Sequence, residues 1–140
     1  LMVETGSVSA LSSLASASCQ ITQGEFQQMQ IANKPDTTKE EYFDVIGKKT
    51  AELFGASCES GIIVANGSLA QQKAAYDYGF NLGLAFQIVD DLMDFNSQSI
   101  KMGKNLGDDF KLGKTTLPII LAWEKSNTSE KKFWDIPLCI

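Results

Sequence analysis

The sequence predicts an all-α fold, and three observations support that prediction. Apolar residues recur at helical spacing over long segments, and no useful stretch alternates with the period of two that marks a strand. Only three prolines interrupt the 140 residues, so long stretches are compatible with helices. Hydrophobic residues make up 44% of the chain, enough for a core between helices packed side by side.

The first helix is predicted from about residue 3 to about residue 32. Its apolar and small residues share one face, including Val8, Leu11 and Ala15. Small side chains on that face allow neighbouring helices to approach closely. A turn around Pro35 ends the pattern.

The second helix is predicted from about residue 39 to about residue 65. Thr38 precedes Glu40 and Glu41, and acidic residues in a first turn complement the helix dipole. Apolar residues then follow at i, i+3, i+4 and i+7 spacing.

Two further helices are predicted after a break at residues 66–68. Ser68 is the expected N-cap of a helix over about residues 69–95. Residues 96–113 form a polar, glycine-bearing loop, and such long loops are usually functional or disordered. A last helix is predicted over residues 115–123.

Composition excludes several function classes. A net charge of −5 argues against a nucleic-acid binder, and the absence of histidine excludes His-based zinc sites and catalytic triads. Three widely spaced cysteines do not suggest a disulfide framework. The uncharged run 5–24 is rich in polar residues, so no membrane span is expected. Because the sequence begins at Leu1, we expect a piece of a longer protein.

A carboxylate cluster is the most informative segment. Asp90 and Asp94 lie one helical turn apart, Asp91 is adjacent, and Gln87 lies one turn earlier. Apolar residues surround these carboxylates, which would resist burial unless paired. A hard divalent cation such as Mg²⁺, which prefers oxygen ligands, would resolve this conflict. The alternative interpretation is a solvated acidic helix end.

The loop that follows has the composition of a phosphate-binding segment. Residues 101–114 contain four lysines and three glycines. Glycines let backbone N–H groups approach a phosphate, and lysines supply point charges. The alternative interpretation is a solvated charged loop.

Four motifs occur in order along the chain. They are GEFQQ at 24–28, a Y…I…KTxxLF-like pattern at 42–54, FQIVDDLMD at 86–94, and GKNLGDD at 103–109 followed by GKTTLP at 113–118. Together they resemble the trans-isoprenyl diphosphate synthases, especially the long-chain octaprenyl and decaprenyl types. The resemblance covers most of the chain.

The resemblance implies a partial isoprenoid-synthase-type helical bundle with about four helices present. Residues 1–125 would be the C-terminal part of a polyprenyl synthase domain, and residues 126–140 a divergent tail. The implied enzyme is a prenyltransferase that condenses isopentenyl diphosphate with an allylic diphosphate, for a quinone side chain.

The resemblance also implies roles for individual residues. The Mg²⁺ ligands would be three aspartates of the helix and one of the loop: Asp90, Asp91, Asp94 and Asp108. The catalytic and substrate-binding residues would be Lys49, Thr50, Gln87 and Lys104, with Lys114 as a further diphosphate contact. Among them, Lys49, Lys104 and Lys114 would neutralise phosphate oxygens, whereas Thr50 and Gln87 would place oxygens near the developing allylic cation.

Other features of the family pattern are missing from this sequence. No counterpart of a first aspartate-rich motif occurs, and the chain contains no arginine. We therefore expect the chain alone to be inactive or nearly so. The rival interpretations are a non-catalytic interaction subunit of a heteromeric prenyl synthase and a terpene cyclase-like protein. A homodimer or a heteromer with another prenyl synthase chain is expected, in the cytoplasm or alternatively in mitochondria.

Overall fold

The protein is described by a computed structural model over residues 3–95 and 107–134. Every regular element within these residues is helical, which confirms the predicted all-α fold. A 3₁₀ turn, Val3–Thr5, comes first. The α-helices that follow are α1 (Val8–Ile31), α2 (Lys39–Ile46), α3 (Glu52–Val64), α4 (Leu69–Met93), α5 (Asp108–Lys111), α6 (Leu117–Lys125) and α7 (Thr128–Trp134).

Helix α1 begins five residues later than the sequence pattern indicates. Gly6 has a left-handed backbone with φ of 67°, which separates the 3₁₀ turn from the helix. The Ser7 hydroxyl then accepts a hydrogen bond of 3.3 Å from the Ala10 N–H, the contact of an N-cap. The helix therefore starts where its first free N–H groups find a partner.

The second predicted helix is present but contains an irregular segment. A π-helical segment, Gly47–Ala51, joins α2 to α3. In a π segment the hydrogen bonds connect residue i with i+5, and such segments occur frequently at functional sites. Periodicity along the sequence does not reveal it, because the apolar spacing on both sides remains helical.

Capping boxes mark the starts of α2 and α4. The Thr38 N–H donates to Glu41 Oε2 at 2.8 Å, and the Glu41 N–H donates to Thr38 Oγ1 at 3.1 Å. Ser68 and Gln71 make the same reciprocal pair at 2.9 and 3.4 Å. The predicted N-cap role of Ser68 is confirmed.

The C-terminal part contains helices that the sequence analysis did not anticipate. The short helix α5 lies within the segment predicted to be a loop, and α7 lies within the segment predicted to be a divergent tail. Asn127 and Glu130 form a capping box at the start of α7. That spacing is a sequence signal for a helix start that the prediction overlooked.

The described residues form two compact units. The first unit comprises residues 3–25 and 44–87, and the second comprises residues 26–43, 88–95 and 107–134. Helices α1 and α4 contribute residues to both.

The two units have different cores. The first unit buries several small side chains, including Ala10, Ala17, Ala51 and Ala56, together with Val45 and Ile46. The second unit buries larger side chains, namely Tyr42, Ile119 and Ile120.

Two apolar side chains beside the acidic motif, Phe86 and Phe95, lie outside the core. These side chains are 56% and 42% exposed. Helix α4 carries apolar residues on more than one face, and the described elements cover only part of its circumference. No helix among residues 3–95 and 107–134 has the length and apolar character needed to cross a membrane.

Candidate functional site

In the first unit, a close helix contact holds the π segment that carries Lys49 and Thr50. Gly24 of α1 lies so near that a Cβ atom there would come within 2.5 Å of the Lys49 backbone nitrogen. On Gly83 of α4 a Cβ atom would come within 2.6 Å of Ala51 Cα. Only glycine permits such backbone approaches, so these two glycines let α1 and α4 pack directly against the π segment.

The ammonium group of Lys49 is held by an ion pair. Lys49 Nζ lies 3.1 Å from Glu25 Oε1, and the Lys49 side chain is 24% exposed whereas that of Glu25 is 47% exposed. Glu25 of α1 therefore contacts the π segment through an ion pair. The ion pair therefore holds the Lys49 ammonium at a partly exposed position in the first unit.

Thr50 and Gln87 also meet in the first unit. The Thr50 hydroxyl donates to Gln87 Oε1 at 2.7 Å across 37 residues of sequence. This bond brings together two of the residues to which the family resemblance assigned a role near a developing cation. The Gln87 oxygen is thereby oriented by a neighbouring hydroxyl.

In the second unit, Tyr42 binds the buried Asp91. The Tyr42 hydroxyl donates to Asp91 Oδ2 at 2.7 Å, and the two residues are 2% and 5% exposed. Burial, followed by the hydrogen bond and the charge of Asp91, raises the pKa of Tyr42 far above its ordinary value. Tyr42 therefore remains a protonated donor at any ordinary pH.

Asp94 is held by the backbone of the segment that begins α5. The Asp109 N–H donates to Asp94 Oδ2 at 3.1 Å, and the Gly107 N–H donates to the Asp94 carbonyl at 2.9 Å. Gly107 has a φ of 74°, a left-handed conformation that suits glycine. Asp94 is 7% exposed, so backbone donors stabilise a buried carboxylate.

Lys114 lies near the acidic group of the second unit, by which we mean Asp90, Asp91 and Asp94. Its ammonium lies 2.5 Å from Asp109 Oδ1. Partial burial favours a lower pKa for Lys114, but the hydrogen bond and charge of Asp109, with the charges of Asp91 and Asp90, outweigh it and raise the pKa. The lysine is therefore a fixed positive charge beside several carboxylates.

The remaining predicted site residues differ in their exposure and in their contacts. Asp90 is half-buried on α4. The Asp108 side chain is 45% exposed and pairs with Lys111 at 3.7 Å. The backbone N–H of its neighbour Asp109 donates to Asp94, and the Asp109 carboxylate pairs with Lys114. The role of Asp108 stays a prediction, and the sequence analysis did not single out Asp109, because adjacency alone does not tell which of two aspartates contacts the acidic group. Lys104 lies outside the described residues.

The acidic group fits a divalent cation as part of a site and not as a closed cage. Among the residues that the structure describes, no three Asp, Glu or Cys side chains are grouped so that they could hold a metal ion by themselves. Magnesium usually keeps several waters and takes one or two carboxylates together with substrate phosphates. The buried oxygen donors of Asp91 and Asp94, beside the half-buried Asp90, match that requirement.

Comparisons with known proteins agree with this geometry. A family model described as polyprenyl synthetase matches residues 1–136. An octaprenyl diphosphate synthase of Haemophilus influenzae is 42% identical over 130 residues, which is 93% of this chain and 40% of that protein. The chain thus spans about two-fifths of the length of this curated relative.

Solved structures share the arrangement of helices. A polyprenyl synthase from Caulobacter crescentus, complexed with calcium and isoprenyl diphosphate, has a TM-score of 0.90 and 45% identity, covering 96% of this chain and 41% of that one. A decaprenyl diphosphate synthase from Rhodobacter capsulatus has a TM-score of 0.86 and 43% identity, covering 94% of this chain and 41% of that one.

Proposed function

This chain belongs to the polyprenyl synthetase family, and on that premise we propose that it carries the diphosphate-binding half of a prenyltransferase site. The reaction would condense isopentenyl diphosphate with an allylic diphosphate to make a polyprenyl diphosphate for a quinone side chain. The observation that carries the proposal is a pair of buried carboxylates at the C-terminal end of α4, Asp91 in its last turn and Asp94 directly after it, each fixed by a protein donor.

The substrates are proposed from the family and from the site. The Caulobacter crescentus relative is complexed with calcium and isoprenyl diphosphate, so a divalent cation and a diphosphate ligand are reasonable for this chain too. We assign the cation as Mg²⁺, with Asp90, Asp91 and Asp94 as its holders and Asp108 as an outer contact. When bound, Mg²⁺ would offset negative charge on the departing diphosphate.

We assign phosphate binding to the lysines and stabilisation of the allylic cation to the Thr50–Gln87 pair. Lys49 and Lys114 would bind phosphate oxygens, since each is already held in place by a carboxylate, Glu25 and Asp109 respectively. Lys104 would join them. The oxygens of Thr50 and Gln87 would face the positive charge that develops on the allylic carbon, a form of electrostatic stabilisation.

We expect the 140-residue chain to bind diphosphate without forming measurable product, since no first aspartate-rich motif occurs in it. Assembly as a homodimer, or with another prenyl synthase chain, is proposed from the family resemblance, as is a cytoplasmic location with a mitochondrial alternative. Light scattering of the purified chain would measure the assembly.

The proposed function is tested by titration calorimetry with a non-hydrolysable allylic diphosphate analogue, with and without Mg²⁺. We expect Mg²⁺-dependent binding in the natural chain and its loss in the Asp90→Asn/Asp94→Asn variant. Asp77→Asn is the matched control, because Asp77 lies on the same helix but pairs with Lys73 at 2.6 Å. Equal binding by all three proteins would contradict the proposed site.

A further inference from the structure

Tyr42 is a large polar side chain of the second unit that is almost completely enclosed. It is 2% exposed and is among the largest fully buried side chains of the described residues. A buried phenol needs a hydrogen-bond partner. The partner is a charged carboxylate 49 residues away in the sequence, Asp91.

The ring of Tyr42 is fixed independently of that bond. The α2 capping box between Thr38 and Glu41 anchors the turn from which Tyr42 projects, and the Tyr42 N–H donates to the Thr38 carbonyl at 3.1 Å. The Phe43 ring lies edge-on to Tyr42 with centroids 5.4 Å apart. These contacts therefore define the position of the Tyr42 hydroxyl without the bond to Asp91.

A fixed donor restricts the carboxylate that it binds. The Asp91 side chain has two soft torsions, and a charge-assisted hydrogen bond of 2.7 Å selects one orientation of its oxygens. Groups that orient a metal-binding carboxylate in this way strengthen metal affinity, and their loss typically weakens it by about 10- to 100-fold.

We propose that Tyr42 is a positioning residue for the acidic group, acting through Asp91 to set the Mg²⁺ requirement for diphosphate binding. This inference rests on the proposed function, because it concerns the same site. It assigns Tyr42, which touches neither diphosphate nor metal in this scheme, a role beyond that of a core side chain.

The first unit offers a matched control of the same chemistry. The Tyr76 hydroxyl donates to Glu52 Oε2 at 2.9 Å, and burial followed by the bond to Glu52 raises the pKa of Tyr76 as well. Tyr76→Phe and Tyr42→Phe each remove one hydroxyl from one tyrosine–carboxylate pair. Only the pair of Tyr42 and Asp91 contains a residue of the aspartate motif.

The experiment is a calorimetric titration of the full chain with inorganic pyrophosphate at several Mg²⁺ concentrations. We expect Tyr42→Phe to raise the Mg²⁺ concentration needed for half-maximal binding by about tenfold, and Tyr76→Phe to leave it unchanged. Both variants should lower the urea midpoint of unfolding, since each leaves a carboxylate without its phenol donor.

A double-mutant cycle with Asp91→Asn tests whether Tyr42 acts through Asp91. The amide oxygen of asparagine still accepts the Tyr42 hydroxyl, so the core contact is kept while the charge is lost. If Tyr42 acts through Asp91, Tyr42→Phe adds nothing to the Mg²⁺ requirement in the Asp91→Asn background.

Three results would overturn the inference. A Tyr42→Phe chain with a lowered urea midpoint and an unchanged Mg²⁺ requirement would show that Tyr42 only supports the core, while the proposed function would stand. An equal shift in Tyr76→Phe would remove the specificity for Asp91. A natural chain without Mg²⁺-dependent pyrophosphate binding would remove the proposed function and this inference together.

Discussion

The two units of this chain hold their polar residues by different means. In the first unit, Lys49 and Thr50 lie on a π segment against which Gly24 and Gly83 pack, so backbone contact without side chains sets their place. In the second unit, Asp91 and Asp94 are held by a phenol and a backbone N–H. The backbone position of Lys49 and Thr50 depends on close helix packing, whereas the carboxylates of Asp91 and Asp94 depend on hydrogen bonds.

The physical reason for this difference is the cost of burying charge. Carboxylates that are 5% and 7% exposed must replace the hydrogen bonds that water made, so each has a donor. Lys49 keeps 24% of its side chain exposed and retains contact with water, so its position depends mainly on where its backbone lies. Substitutions should therefore act through packing in the first unit and through lost hydrogen bonds in the second.

The largest expected effect comes from adding one methyl group to the helix contact of the first unit. Gly24→Ala places a Cβ atom against the Lys49 backbone, which cannot yield as a flexible side chain would. We expect a loss of about 3 kcal/mol in the free energy of unfolding, together with weaker diphosphate binding. Urea unfolding and calorimetry measure the two quantities.

Gly61→Ala is the control for that substitution. Gly61 also lies within a helix of the first unit, α3, but a Cβ atom there meets nothing within 4 Å. We expect this variant to be more stable by roughly 0.5–1 kcal/mol. Similar changes in the free energy of unfolding for Gly24→Ala and Gly61→Ala would contradict the claim that close backbone packing holds the first unit together.

A smaller effect is expected where the first unit does use a side-chain hydrogen bond. Thr50→Val removes the donor to Gln87 Oε1 at nearly constant volume, and should lower the free energy of unfolding by about 1 kcal/mol. Thr22→Val is the control, because the Thr22 hydroxyl donates to the Ser18 carbonyl on an exposed face. This variant should change stability by less than about 0.5 kcal/mol. A Thr50→Val loss as large as that of Gly24→Ala would reverse the comparison.

The smallest effect concerns the caps of α2 and α4. Hydrogen bonds from the Thr38 backbone and hydroxyl lower the pKa of Glu41 below its ordinary value of 4.5. The stabilisation by Glu41 is therefore complete above pH 4.5 and is lost as the pH falls through the lower pKa of the folded state.

Glu41→Gln tests this dependence, since glutamine retains an acceptor but does not titrate. The stability difference between the natural chain and Glu41→Gln should change below pH 4.5 and remain constant above it, as measured by urea unfolding at each pH. Gln71, in the Ser68 box, is the neutral equivalent already present in the chain. A difference that is constant from pH 3 to pH 7 would contradict the role of the Glu41 charge.

Much of the helical framework could be predicted from local patterns. The extents of α2 through α3 and of α4, the N-cap at Ser68, and Pro118 in the first turn of α6 all follow from periodicity and capping chemistry. The acidic motif was also evident, because three aspartates in an apolar helix are unusual. These features involve residues a few positions apart.

Sequence patterns alone determined that this chain is helical and which residues are candidates for binding a diphosphate and its cation. Only the tertiary structure decided that Tyr42 binds Asp91, that Asp109 rather than Asp108 meets Asp94, and that a π segment carries Lys49. The physical reason is the distance along the sequence over which each kind of interaction acts. Helix periodicity and caps act over three or four residues, whereas a hydrogen bond between residues 49 positions apart depends on how helices pack, which no local pattern encodes.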